Sequence, residues 1–152
     1  MSTVMDKINQ ILEQIGISVT GIQHCMLMDR TGLLVANYSK YVFKEIDIDA
    51  VGAIVGAVFQ AGEEESNTLE FNGLEIQINE FKDGFRFAVA CEDAGVLSVI
   101  SEKDVQLGLV RAAMKKYAPY LAKLMKKIFT SSSQSAMEDL KELFSSDFES
   151  FM

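Results

Sequence analysis

His24, Cys25 and Cys91 are the side chains best suited to nucleophilic or acid–base chemistry in this chain, which holds one histidine and two cysteines. A nucleophile and its base must lie within hydrogen-bond reach of one another. His24 and Cys25 are neighbours in an apolar stretch that reads as a strand, where successive side chains point to opposite faces, so they form no dyad. His24 and Cys91 meet only if the sheet brings them together, and in apolar strands both read as core fillers. Glu63, Glu64 and Glu65 offer ligands for a hard cation, but three consecutive acids at a helix end fan outwards and read as a solvated face. Asp29 and Asp83 stand in Asp-x-x-Gly and Asp-Gly turns, where a carboxylate serves the turn itself. No glycine-rich phosphate loop, Cys-x-x-Cys pair or His-x-x-His spacing is present. The expectation is a protein that is not an enzyme, with no catalytic residues, no cofactor and no metal.

The 152 residues are 49% hydrophobic and 24% charged, the composition of one globular domain that buries enough apolar surface to offset its ordering entropy. A net charge of -8 repels phosphate backbones, so nucleic acid is not an expected partner. Two cysteines are too few for a disulfide framework, and residues 1–7 lack an apolar signal region, which together suggest a cytoplasmic protein. The longest charge-free apolar stretch, residues 50–62, falls short of the ~20 residues that span a bilayer.

Val4, Ile8, Ile11, Leu12 and Ile15 recur at helical spacing and predict an amphipathic helix over residues 3–15. Residues 21–28 and 33–36 are apolar runs around the turn Asp29-Arg30-Thr31-Gly32, hence two antiparallel strands covered on both faces. Leu74, Ile76 and Ile78 alternate with Glu75, Gln77 and Asn79 as a strand with one wet face. Before it, Asn72-Gly73 allows either a tight hairpin from residues 69–71 or a bulge in one long strand; the switch in apolar parity favours the bulge. Two further strands follow over residues 85–91 and 96–100. Ser101 to Asp104 resembles a capping box opening a long helix, with a kink or restart near Tyr117 imposed by Pro119.

Residues 50–61 carry no charge on any face of their helix, and a helix apolar all round is buried all round. One side packs on the sheet. The other is either over-buried in a monomer or covered by a second chain, and the small residues Gly52, Gly56, Ala53, Ala57 and Ala61 at four-residue spacing favour a close helix pair.

The order helix, two strands, helix, three strands, helix, with MDRTGLLVANYS at residues 28–39 and VLSVISEKDVQLGLVRAAMKK at residues 96–116, resembles the roadblock family, also known through a dynein light chain. The resemblance implies an α/β (α+β) profilin-like sandwich: a five-stranded antiparallel sheet with two helices on one face and the middle helix on the other. It implies a homodimer in which Gly52, Ala53, Gly56, Ala57 and Gln60 line a helix pair, with Leu74, Glu75, Ile76, Gln77, Ile78 and Asn79 on a paired sheet edge. It further implies a scaffold or regulator of a Ras-like small GTPase. A ligand-sensing module, or an adaptor in a larger motor or signalling complex, is the alternative. Arg30, Arg86 and Arg111 occupy a turn, a strand and a helix start, so none is an obvious donated finger.

Residues 1–129 are expected to form the roadblock domain, 130–136 a serine-rich flexible linker and 137–152 an acidic amphipathic tail. Arg111, Lys115, Lys116, Lys123, Lys126 and Lys127 give the closing helix a basic face. Met137, Leu140, Phe144, Phe148 and Phe151 give the tail an apolar stripe among five acids. The tail is a candidate to fold onto this or a neighbouring basic helix or to dock on a partner, and the basic helix to touch a membrane surface without spanning it.

Overall fold

The computed structural model describes residues 3–40 and 45–151, without the side chains of residues 131–133, 135 and 144–151. The elements are α1 (Val4–Ser18), β1 (Ile22–Asp29), β2 (Leu34–Ser39), α2 (Ile48–Leu69), β3 (Gln77–Glu80), β4 (Gly84–Cys91), β5 (Gly95–Glu102) and α3 (Leu107–Phe151). All five strands join one sheet in the order β2-β1-β5-β4-β3, and every neighbouring pair is antiparallel. β1 lies between β2 and β5, with Leu27 opposite Ala36 on one side and Leu97 on the other.

Two apolar clusters divide the side chains of this sheet. Ile8, Leu12 and Ile15 of α1 and Val110, Met114, Leu121 and Met125 of α3 pack against Cys25, Leu27, Phe87, Val89 and Leu97. On the opposite face, Val55 and Phe59 of α2 pack against Met26, Met28, Ala88 and Val96. Both faces are therefore dry, which is why the central strands read as apolar runs instead of alternating. Each fully buried Leu or Ile side chain contributes about 1.5–3 kcal/mol by leaving water. The α1 start is fixed by a capping box, in which Asp6 N donates to Thr3 Oγ1 at 3.1 Å and Thr3 N to Asp6 Oδ2 at 3.0 Å.

Four expectations are corrected. Residues 69–71 form neither a hairpin strand nor a bulge: α2 runs through the three glutamates to Leu69, and Glu70 caps it in the left-handed region at φ 60°. The turn is held by Phe71 N donating to Ser66 O and Gly73 N to Ser66 Oγ, so the helix end is satisfied without a strand. Ser101 does not cap a helix, because β5 continues to Glu102 and α3 begins only at Leu107. Pro119 does not restart the helix; Ala118, Leu121 and Ala122 are buried around it, and that packing offsets the loss of one backbone bond. Residues 130–136 are helical instead of a flexible joint, since serine costs a helix only about half a kcal/mol relative to alanine and no glycine or proline interrupts the run.

Phe59→Ala is expected to cost about 3–5 kcal/mol by leaving a cavity between α2 and the sheet. Leu143→Ala, at an exposed position, should stay within about 0.5 kcal/mol. Urea denaturation of the two variants separates a buried position from an exposed one on the projecting end of α3.

Candidate functional site: a helix face and a sheet edge

α2 begins where Asp47 Oδ1 accepts from Ala50 N at 3.1 Å, and the helix then lies across the β1–β2 turn. That turn is an Asx turn: Asp29 Oδ1 accepts from Thr31 N at 2.8 Å and Leu33 N at 3.0 Å, leaving Gly32 at φ +89°. A Cβ on Gly56 would stand 2.6 Å from Gly32 Cα, and one on Gly52 3.4 Å from Gly32 O. The backbone that approaches these two glycines is thus the chain's own hairpin. Gly52 and Gly56 are buried within the domain, which corrects the expectation that they line a contact with another chain.

Their burial sets the rotation of the helix, with Val55 and Phe59 inward and Ala53, Ala57, Gln60 and Ala61 outward. Ile54, 61% exposed, and Val58, 37% exposed, share the outward face. These two large residues were not singled out in the sequence, where the smaller residues between them drew attention.

The outward face runs into the sheet edge. Gln77 Nε2 donates to Val58 O at 3.0 Å, and a Cβ at Gly62 would collide with the Gln77 amide, so α2 and β3 meet without a gap. β3 pairs with β4 on one side only, so its other row of backbone groups is an open edge. Ile78 on this strand is 42% exposed, and Asn79 lies opposite Arg86 in the register with β4. Regular pairing covers Gln77 to Glu80 only. Leu74 and Ile76 lead into it with side chains packed against the two separate cores, and Glu75 is drawn instead to α3 by Arg111 Nη2 at 3.2 Å and Lys115 Nζ at 3.1 Å.

His24 and Cys91 are not brought together. Met26 and Met28 on the same face of β1 as His24 pack under α2, whereas Cys25 and Cys91 belong to the α1/α3 core. His24 Nδ1 lies 2.8 Å from Ser39 Oγ, and burial holds its pKa below the ordinary 6.5. Burial pushes both thiols up to about 12. Glu63 is not simply solvated: its Oε1 pairs with Arg30 Nη1 at 2.5 Å, and Arg30 also donates to Glu92 O and lies over the Phe59 ring.

α3 leaves the body near Ile128, and at 45 residues it is about 67 Å long. Arg111 and Lys115 of its basic face are paired with Glu75, and Lys126 with Glu92. Lys123 and Lys127 line a concavity with Lys7 and Tyr120 between α1 and α3. Met137 and Leu140 of the tail stripe are exposed, while the side chains of Phe144, Phe148 and Phe151 lie outside the described residues. A continuous helix keeps its acidic end from folding onto its own basic segment. No helix among the described residues is long and apolar enough to cross a membrane.

The fold and its open helix face and edge define a domain class: the Roadblock/LC7 domain family matches residues 9–101, and the chain belongs to that family. Sequence relatives include an uncharacterized protein of Methanocaldococcus jannaschii, 32% identical over 98 residues, or 64% of this chain and 80% of that one. Among solved structures, MglB with a tetrameric arrangement is similar at a TM-score of 0.77 and 16% identity, covering 84% of this chain and 93% of that chain. MglB of Myxococcus xanthus is similar at 0.68 and 22% identity, with 82% and 96% covered. A Roadblock/LC7 domain from Streptomyces avermitilis is similar at 0.62 and 12% identity, with 82% and 97% covered.

His24 is easier to protonate in the unfolded chain than in the folded one, so its contribution is intact above about pH 6.5 and is lost as pH falls below that value. His24→Gln should flatten this part of the curve when urea midpoints are compared between about pH 7.5 and 5.5. Iodoacetamide at neutral pH should label neither cysteine of the native protein and both after unfolding, as mass spectrometry would record.

Proposed function

We propose that the chain is a non-enzymatic homodimeric roadblock scaffold that binds a Ras-like small GTPase and modulates its GTP hydrolysis or localisation in the cytoplasm. The observation that carries self-association is the continuity of an exposed apolar helix face, centred on Ile54, Ala57 and Val58, with the open edge of β3. Two copies related by a two-fold axis would cover both at once, pairing α2 with α2 and β3 with β3, as an isologous contact requires. The GTPase as partner rests on family membership. The structurally similar MglB proteins, one of them in a tetrameric arrangement, agree with a self-assembling platform. The tail stripe of Met137, Leu140, Phe144, Phe148 and Phe151 extends this platform as a second contact for the partner.

Any stimulation of hydrolysis works by arranging the partner's own residues. Arg30 is held by Glu63 and Glu92, Arg111 by Glu75, and Arg86 is buried in the sheet. The chain has no further arginine to donate.

Ala57→Glu places a charge on the outward face without entering the core. Light scattering should find a dimer for the wild type and a folded monomer for the variant; a dimer in both would remove this interface. A glutamate at Gly56 would collide with Gly32 and test folding instead. Single Arg30→Lys and Arg111→Lys variants should retain GTPase stimulation within about two-fold, whereas loss of a true finger costs about 10³–10⁵ in rate.

A further inference from the structure

The buried Arg86 guanidinium enters neither core packing nor the proposed dimer contact. Arg86 is 6% exposed, yet among the described residues its side chain has no hydrogen-bond or ion-pair partner, and Nη1 is wholly shielded from solvent. A buried unpaired charge is costly, and native structures normally supply it with an acceptor. Arg86 lines a cavity of about 390 Å³ between the first turns of α2 and the ends of the central strands. Val51, Ile54 and Val55 of α2, with Ile100 of β5 and Phe81 of the β3–β4 turn, contribute apolar wall. Of the remaining polar lining, the half-buried Gln23 of β1 brings a carboxamide to the cavity, Ser101 Oγ already donates to Glu102 O, and Asp83 belongs to the exposed β3–β4 turn.

The geometry points to a binding site for a small organic acid, a single carboxylate on an apolar body, with the carboxylate on Arg86 and the body between α2 and the sheet. With Nη1 shielded, the Nε and Nη2 edge of the planar guanidinium is the one that matches a carboxylate bidentately. A dianionic phosphate suits the place less well, because one guanidinium leaves it half-neutralised beside apolar walls and the Asp83 carboxylate. The cavity lies in the size range of small-molecule sites, and a wall of aliphatic and aromatic side chains around one convergent charge is their usual composition. Burial also pulls the Arg86 pKa down from its ordinary value, a sign of an environment that lacks the counter-charge. The site needs no second chain, although Ile54 of its wall also belongs to the proposed dimer face.

Octanoate is the probe, titrated calorimetrically into the full chain, with 1-octanol and acetate as the body alone and the carboxylate alone. Saturable binding of octanoate at one site per chain, at least ten-fold tighter than either control, is expected. Arg86→Met should weaken it at least ten-fold while raising the melting temperature of the free protein by removing the unpaired charge. Val51→Trp keeps the guanidinium but fills the cavity, and should abolish binding with an unchanged circular dichroism spectrum. Absence of saturable binding to the wild type overturns the proposal, as does binding that survives both substitutions. Light scattering on the same samples separates the remaining case: if Arg86→Met dissociates a dimer and the wild type ignores octanoate, the acceptor comes from another protein chain and the small-acid site is wrong.

Discussion

The close approach of α2 to the β1–β2 turn is the constraint on which the rest of the molecule depends. Three glycines permit it: Gly52 and Gly56 on the helix, and Gly32 at positive φ in the turn. With side chains at these positions the helix would ride higher, and Val55 and Phe59 would not reach Met26 and Met28. The same contact fixes how the helix is rotated. Because Gly52 and Gly56 must face the hairpin, Ile54, Ala57 and Val58 must face away from it. One backbone contact inside the domain therefore decides which apolar residues are left outside.

The outward face also acquires a fixed position relative to the sheet edge. The Gln77 amide ties β3 to the carbonyl of Val58, and Glu75, two residues earlier, is tied to α3 by Arg111 and Lys115. The exposed ion pairs contribute little individually. Their effect is directional, since they anchor the lead-in of the edge strand to the helices on both faces. A Roadblock/LC7 domain with so short a β3 keeps its edge in place through side chains at its start as well as through the ladder to β4.

Much of this was legible in the sequence because period and composition agree. α1, the first hairpin and the paired strands β4 and β5 each carry a clear apolar pattern bounded by turn residues. The end of α2 was not legible: Leu69 and Phe71 alternate as a strand would, but the helix has no breaker before Asn72-Gly73, and a non-glycine residue, Glu70, takes the left-handed cap. Ser101 misled because a capping sequence at the end of a strand looks the same as one at the start of a helix. The glycine stripe was recognised but its partner was not, since nothing local distinguishes a neighbouring chain from the chain's own hairpin. Arg86 was legible only as a polar residue of alternating strand β4; that it is buried without an acceptor depends on α2, 17 or more residues away in the chain, and on no pattern around it.

The unbroken course of α3 has an angular consequence. A helix advances about 100° per residue, so a stripe borne beyond the body faces a direction set by the number of residues that precede it. Met137 and Leu140 thus have a fixed azimuth relative to Met114 and Leu121, which lock the helix to the sheet. The serine-rich turns between them act as a shaft that carries orientation outward. A single inserted residue there would leave composition, charge and length nearly unchanged while swinging the stripe by more than a quarter turn.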